Sequence, residues 1–506
     1  MYLMEVYKIF LITLVLCSFR TVICSHFRGG IITWKPFGNQ VKISYRLAFR
    51  RSFSSNFYCD AATISSLLPG EEALQCLYGC SGNIVPSMSY YCTDFSADED
   101  WSSGEHTVVY KFPVSTSNIY HFGYISSAWI PLAEGGSGWS MRTAANLTVR
   151  MDTGQINSSP ISAMKPITRM KHGCQYSIHI PVQDDDGDKV KCRWSTKTRY
   201  DECGGVCQTL SDSVLDEISC ILHYNATKSI GWYAVAVQLE DFAVSNDMIP
   251  LSSVPLQFLI QVFTSNGFCK DRPVLIKTNF IDGTNIPISL YSTLCEIMIA
   301  KSATNTSVII EIETVSPIGM LKSNLKVFGD TGREWFVIVK WIPTEDQIGS
   351  HIFCYTAIDS NGQSSDQTCV TLVVIGSITT TKNEKATTTA TPLIKEQTTV
   401  FCEPTPISTV PTTVTPTPPV LTTDWIIVIV VCGTIMLIFL CSCIYMLLRV
   451  SRRNRRNQND DPIYYTPSLN TVTNNNEIHS YSTTSMNETD IIPDAELKSW
   501  KSCDNQ

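Results

Sequence analysis

The chain has 506 residues, a net charge of -8 and 17% charged residues, and its one basic cluster lies in residues 449–456. Because nucleic-acid binding requires a basic patch on the folded domain, this composition argues against a nucleic-acid partner. The sequence contains no GxSxG, HExxH, P-loop or protein-kinase motif, so we expect a protein that is not an enzyme and has no organic cofactor.

Residues 1–24 have the pattern of a cleavable signal peptide. An apolar run from Ile9 to Phe19 is too short to span a membrane, and Val22 and Cys24 occupy the positions before the cleavage point. We expect the mature chain to begin near Ser25 and to be exported.

Residues 25–150 are predicted to form an N-terminal β-rich module. Apolar residues alternate with polar ones in the first part of this segment, at Val41, Ile43, Tyr45, Leu47 and Phe49. A period of two predicts a strand with one buried face. The whole chain is therefore expected to be mainly β.

Four cysteines cluster in a loop-rich part of this module: Cys59, Cys76, Cys80 and Cys92. Two disulfides are expected here, and the sequence leaves all three pairings open. Cys76 and Cys80 also have the spacing of half a zinc site, but an oxidising compartment favours disulfides over thiolate ligands.

Residues 151–265 are predicted to form a β-sandwich module. Two strand-like runs flank an acidic turn that contains Asp186 and Gly187, and a D-G turn between such runs predicts a hairpin. The carboxylates of Asp184, Asp185, Asp186 and Asp188 are an alternative calcium site, because hard cations bind converging carboxylate oxygens. The spacing does not match an EF-hand. Calcium is thus the one cofactor that the sequence suggests.

Residues 266–375 are predicted to form a second β-sandwich that ends in a hairpin. Its last part resembles a hyalin-repeat module over residues 341–374, through Pro343, Gly349, Tyr355, Ala357, Asp359, Gly362 and Cys369. This resemblance implies an immunoglobulin-like fold and a role in adhesion at cell surfaces. Cys354 is not part of the hyalin pattern, and its pairing with Cys295 or with Cys369 is left open.

The end of the second segment echoes the end of the third, which suggests an internal repeat. Residues 231–263 parallel residues 349–374, and Asp241 takes the place of Asp359. The two segments are therefore expected to be tandem immunoglobulin-like sandwiches.

The C-terminal part changes character. Residues 376–424 are rich in Thr and Pro and are typical of an O-glycosylated stalk. Residues 425–448 carry no charge and are followed by five arginines, which predicts one transmembrane helix with the C-terminus in the cytoplasm. Residues 449–506 are expected to be a disordered tail, in which Tyr464, Tyr465 and Tyr481 are phosphorylation candidates.

Two kinds of modification are predicted for the exported part. Sequons mark candidate glycosylation sites on surface loops at Asn146, Asn157, Asn225 and Asn305. In addition to the four cysteines above, the disulfide candidates are Cys174, Cys192, Cys203, Cys207, Cys220, Cys269, Cys295, Cys354 and Cys369.

Together these features predict a single-pass type I protein of the plasma membrane that acts in cell adhesion or recognition through its extracellular β modules. Its partner would be another cell-surface or extracellular protein, including a second copy of the chain. Two other functions are compatible with the sequence. One is a signalling receptor whose tail tyrosines recruit partners, and the other is a mucin-like protective coat protein.

Overall fold

The computed structural model describes residues 26–376, except 116, 244–247, 277–278 and 330–331. The predicted signal peptide, transmembrane helix and tail, together with the tail tyrosines and all of the stalk after Gly376, lie outside these residues. Within them, no helix is long and apolar enough to cross a membrane, and the helix that is present is a single 3-10 turn at Glu345–Gln347. The described chain is mainly β, as predicted.

The first segment consists of nine strands, all in one sheet. They are β1 (Phe27–Phe37), β2 (Gln40–Arg50), β3 (Leu67–Leu68), β4 (Leu74–Tyr78), β5 (Asn83–Val85), β6 (Tyr90–Ser96), β7 (Trp101–Tyr110), β8 (Ile119–Ser127) and β9 (Gly138–Asn146). The alternation predicted in β2 is confirmed, because Val41, Ile43, Tyr45 and Leu47 are buried between half-buried polar residues.

The second segment contributes nine more strands. They are β10 (Ile161–Ser162), β11 (Ile167–Lys171), β12 (Gln175–His179), β13 (Val182–Gln183), β14 (Lys189–Trp194), β15 (Ser213–Asp216), β16 (Ile221–Asn225), β17 (Gly231–Phe242) and β18 (Ser252–Phe263). Strands β11, β14, β17 and β18 belong to the same 13-stranded sheet as the first segment.

Strand β18 joins the two segments. It pairs with β17 along one edge, and its other edge meets β9 at Ser252, β1 at Leu256 and β11 from Leu259 onward. Strands β17 and β18 are buried along almost their whole length, and one hydrophobic core runs through both segments. The first two predicted modules therefore share a sheet and a core.

The prediction of a hairpin across the acidic turn is wrong. Strand β13, before the turn, pairs with β10, whereas β14, after the turn, pairs with β17. The preceding run, β12, pairs with β16 in a separate three-stranded sheet. The turn therefore carries the chain from one pairing to another instead of closing a hairpin.

The third segment has its own core, between a five-stranded and a four-stranded sheet. Its strands are β19 (Val274–Ile276), β20 (Asn285–Ser289), β21 (Leu294–Lys301), β22 (Ile309–Val315), β23 (Leu321–Lys322), β24 (Lys326–Phe328), β25 (Glu334–Trp341), β26 (Gly349–Asp359) and β27 (Thr368–Ile375). The predicted closing hairpin is present as β26 and β27, with the turn closed by the N–H of Gly362 on the carbonyl of Asp359 at 2.8 Å.

The internal repeat appears in the pairing of the strands. In the second segment β11 runs parallel to β18, which pairs antiparallel with β17, and β17 pairs antiparallel with β14. In the third segment β20, β27, β26 and β22 follow the same order with the same orientations. The two segments thus share this half of their architecture.

The predicted disulfide cysteines are all oxidised in the structure. Six pairs are Cys59–Cys92, Cys76–Cys80, Cys174–Cys269, Cys192–Cys220, Cys203–Cys207 and Cys354–Cys369. The alternative pairing of Cys295 with Cys354 is excluded, because Cys354 and Cys369 are directly opposite one another on β26 and β27.

Candidate functional site

The acidic turn between β13 and β14 brings three carboxylates together. Asp184, Asp186 and Asp188 each offer one oxygen, and these oxygens lie within 4.8 Å of one another. The N–H groups of Asp186 and Asp188 donate to Oδ1 of Asp184 at 2.9 and 3.0 Å. Gly187 has a φ of +79°, which glycine adopts without strain. The sequence of the turn therefore fixes its own shape.

Asp185, the fourth predicted calcium ligand, lies outside this group. Its Oδ2 is 3.9 Å from Nζ of Lys35 in β1. The prediction that all four aspartates converge is therefore wrong for Asp185. Asp185 is directed toward Lys35, whereas the N–H groups of Asp186 and Asp188 both donate to the carboxylate of Asp184.

Asp241, at the end of β17, lies behind the turn. It is fully buried, and its Oδ1 accepts hydrogen bonds from N and Oγ of Ser252, each at 2.7 Å. Its Oδ2 accepts a hydrogen bond from Nδ2 of Asn157 at 2.6 Å. Burial raises the pKa of Asp241. This residue takes part in the acidic group although it lies far from the turn in the sequence.

Arg150 neutralises part of the acidic charge. Its guanidinium pairs with both carboxylate oxygens of Asp188 and with Asp152, and Nη1 is 3.8 Å from Asp186. Nη1 also donates to Oδ1 of Asn157 at 2.8 Å. Because Asn157 in turn donates to Asp241, the loop that follows the first segment is tied to the turn and to β17.

The acidic cluster is defined here as Asp152, Asp184, Asp186, Asp188 and Asp241. Burial, reinforced by the charges of the neighbouring aspartates, raises the pKa of Asp184 to about 7. The side chains of the cluster offer only oxygen ligands, which suit hard cations such as calcium better than zinc.

A second polar region connects the first segment with the third. Asp94 in β6 is buried, and its carboxylate accepts hydrogen bonds from N and Oγ1 of Thr314 and from Nζ of Lys322, at 2.7 to 2.9 Å. Nearby, Arg46 donates to Glu105 at 2.6 Å and to the carbonyl of Ser316 at 2.8 Å. These contacts dock the third segment against β2, β6 and β7.

The second segment contributes charges to the same region. Nζ of Lys165 lies 3.8 Å from Oε2 of Glu313, and Nη1 of Arg169 lies 2.9 Å from Oε1 of Glu99. Burial lowers the pKa of Lys165 and raises the pKa of Glu313, with Glu99 adding to the second effect. We call the region of these contacts the seam. It includes the ion pairs of Asp94 with Lys322 and of Lys165 with Glu313.

A cleft of about 130 Å³ opens beside the seam and is lined by all three segments. Lys42 and Arg46 line it from the first segment, Asp185 from the second, and Asp346 and His351 from the third. The cleft carries charges of both signs. Such a lining does not select one ligand class.

The sequons differ in exposure. Asn225 and Asn305 are exposed and Asn146 is half-buried. Asn157 is 1% exposed, and its Nδ2, the atom that would carry a glycan, donates to Asp241 and to the carbonyl of Ser158. The prediction of a surface position for Asn157 is therefore wrong, because a sequon reports sequence and not burial.

Two pairs of cysteines have the spacing of half a metal site, and both pairs are disulfides. Cys76 and Cys80, and likewise Cys203 and Cys207, are bonded to each other, so neither pair offers thiolates to a metal. Trp34, Trp129 and Trp139 are buried in the core, so they form no binding face on the surface.

The first segment is similar to a known domain. Residues 28–148 match the family model described as integrin beta-like protein A-E, N-terminal. The match begins in β1 and ends just after β9, so it covers the nine strands of the first segment. It does not extend to the acidic turn or to the third segment.

Two relatives from Dictyostelium discoideum agree with this match. Integrin beta-like protein C is 27% identical over 188 residues, which cover 35% of this chain and 9% of the relative. Integrin beta-like protein A is 22% identical over 265 residues, which cover 49% of this chain and 12% of the relative. The chain thus spans about a tenth of the length of these curated relatives. The similarity concerns the N-terminal β module and does not bear specifically on a hyalin repeat.

Solved structures are similar only at a low level. The N-terminal eight immunoglobulin domains of Down syndrome cell adhesion molecule share 10% identity and a TM-score of 0.18, covering 66% of this chain and 46% of that one. The sialic acid binding region of a Streptococcus sanguinis adhesin shares 9% identity and a TM-score of 0.17, covering 43% and 78%.

Proposed function

We propose that this chain is a single-pass type I protein of the plasma membrane that acts in cell adhesion or recognition, with residues 26–376 as its extracellular binding unit. The similarity of residues 28–148 to the N-terminal domain of integrin beta-like proteins carries the proposal. The chain acts by binding and not by catalysis. Its partner is another cell-surface or extracellular protein, including a second copy of the chain.

Three features of the chain support this role. The disulfides of the described residues fit an extracellular compartment. Residues 341–374, which include the hairpin of β26 and β27, resemble a hyalin repeat. This is a different class of adhesion module from the one that the first segment resembles. The stalk and transmembrane helix predicted for residues 376–448 would present the three docked segments above the membrane.

Two-colour cell mixing tests the proposal with the full chain. Non-adherent cells that express the chain, tagged after residue 25, are labelled red or green, and parental cells are labelled blue. Red-green clusters without blue cells indicate binding between copies of the chain, and clusters that include blue cells indicate a different partner. If the tag is at the surface and the cells stay dispersed alone and with cells from other tissues, the adhesion proposal fails.

Removal of residues 457–506 distinguishes adhesion from signalling. The truncated chain keeps the predicted transmembrane helix and the arginines beside it. Adhesion through the extracellular segments predicts unchanged clustering at equal surface level. A signalling receptor predicts that the truncated chain still binds its partner but that the cellular response to this partner disappears.

A further inference from the structure

The acidic cluster carries more negative charge than its ion pairs offset. It contains five carboxylates, and Arg150 supplies one positive charge, which it shares among Asp152, Asp186 and Asp188. Asp184 and Asp241 form no ion pair within the described residues, although both are buried. Buried carboxylates without a compensating charge are costly, so the cluster is electrostatically incomplete.

One carboxylate oxygen of the cluster also lacks any hydrogen-bond donor. Asp184 is 5% exposed, and its Oδ1 accepts the two N–H groups of the turn. Its Oδ2 is buried and has no partner in the described structure. Buried polar atoms are almost always paired. Because the carboxylate that carries this unpaired oxygen is grouped with those of Asp186 and Asp188, a cation is the partner that fits here.

The spacing of the oxygens fits calcium. Calcium–oxygen distances are about 2.4 Å, so two ligands of one calcium ion can be up to about 4.8 Å apart. The oxygens of Asp184, Asp186 and Asp188 satisfy this limit. Asp186 is the exposed member of the three, which leaves a route for the ion and for water ligands.

We propose that Asp184, Asp186 and Asp188 bind a calcium ion, with Asp241 and Asn157 as positioning residues behind them. The ion would complete the charge balance that Arg150 begins. It would also tie the turn to the loop around Asn157 and to the end of β17, since these elements already share hydrogen bonds. This inference does not depend on the proposed adhesion role, because a calcium site can stabilise the body of any surface protein.

Calcium titration of the full chain in detergent, after removal of metal with a chelator, tests the inference. We expect one saturable site with a Kd on the order of 0.1 to 1 mM, the range of extracellular calcium modules, and an upward shift of the melting temperature. Hydrogen exchange followed by mass spectrometry should show slower exchange of the amides in residues 184–190 at saturating calcium. Unchanged exchange and an unchanged melting temperature at 10 mM calcium, a concentration of about ten times the upper Kd, would overturn the inference.

The variants Asp186→Asn and Asp188→Asn locate the site, with Asp366→Asn as the matched control. Asp366 is exposed, and its carboxylate pairs with Arg272 at 2.7 Å in the third segment. We expect roughly tenfold or greater weakening of calcium binding in either cluster variant, because each removes a charged ligand, and no change in the control. Wild-type affinity in either cluster variant would place the ion elsewhere and overturn the assignment.

Discussion

Asp94 and Lys322 are 228 residues apart in the sequence and form an ion pair in which Nζ lies 2.7 Å from both carboxylate oxygens. The side chain of Asp94 is 2% exposed and that of Lys322 is 21% exposed, so the pair is largely shielded from water. Asp94 belongs to β6 and Lys322 to β23. The pair therefore holds the third segment against the first. The described segments pack against one another and are not independent modules.

Replacing Lys322 with Met should destabilise the protein by about 3 kcal/mol. The substitution leaves the carboxylate of Asp94 buried without its cation, and breaking a buried pair on one side costs about this much. Denaturant unfolding of the full chain in detergent measures the effect. The control is Lys340→Met, at an exposed lysine of β25, which should change stability by less than about 0.5 kcal/mol. Equal effects of the two substitutions would show that the pair does not hold the seam.

Stability should fall as pH rises from about 4.5 to 7, through Glu311 at the seam. Burial raises the pKa of Glu311 from 4.5 to about 7, with Lys322 opposing and Asp94 and Glu99 adding to the shift. Between these two values the folded state binds more protons than the unfolded state, so the free energy of unfolding decreases with rising pH.

The variant Glu311→Gln should reduce this pH slope, because its side chain cannot ionise. The melting temperature measured from pH 4.5 to 7.5 gives the slope. The matched control is Glu334→Gln. The carboxylate of Glu334 lies 3.0 Å from Nζ of Lys301 and does not pair with the described residues around Asp94. A slope that is identical in wild type and Glu311→Gln would contradict the assignment of this titration to Glu311.

Glycans should be present at Asn225 and Asn305 and absent from Asn157 in protein isolated from the cell surface. Asn225 and Asn305 are exposed, whereas Nδ2 of Asn157 is engaged with Asp241 in the interior. Mass spectrometry of peptides after enzymatic deglycosylation detects each occupied site. Folded surface protein with a glycan on Asn157 would be incompatible with the structure.

Removing the disulfide of Cys354 and Cys369 should cost about 3 kcal/mol. The bond closes a loop of 15 residues, and a loop of this length corresponds to about this stabilisation. The double substitution of both cysteines by Ala, compared with wild type in denaturant unfolding, measures it. Peptide mapping without reduction should first show the bond itself, and a peptide that links Cys295 to Cys354 would refute the pairing.

Local patterns predicted the strands well. The alternation from Val41 to Phe49 identified β2 and its buried face, and the hairpin predicted at the end of the third segment is β26 and β27. These features depend on neighbours in the sequence, so the sequence alone was sufficient for them.

Long-range pairing was not predictable in the same way. The acidic turn looked like a hairpin, but the strands on its two sides find other partners, β10 and β17. Strand β18 merges two predicted modules into one sheet, and no local pattern distinguishes it from a strand of an independent sandwich.

The candidate site was predicted in part. The acidic run identified Asp184, Asp186 and Asp188, but the contacts of Asp185 with Lys35 and of Asp241 with Asn157 depend on the tertiary fold. No sequence pattern predicted the seam, because Asp94 and Lys322 lie far apart in the chain and neither belongs to a recognisable motif.

Cell mixing with the full chain tests the central claim most directly, and its readout is the fraction of expressing cells in clusters at a known surface level of the tagged chain. We expect this fraction to rise with surface level and to stay low in parental cells alone. A fraction equal to that of parental cells, at high surface level and with every cell type offered as partner, would contradict an adhesive role for this chain.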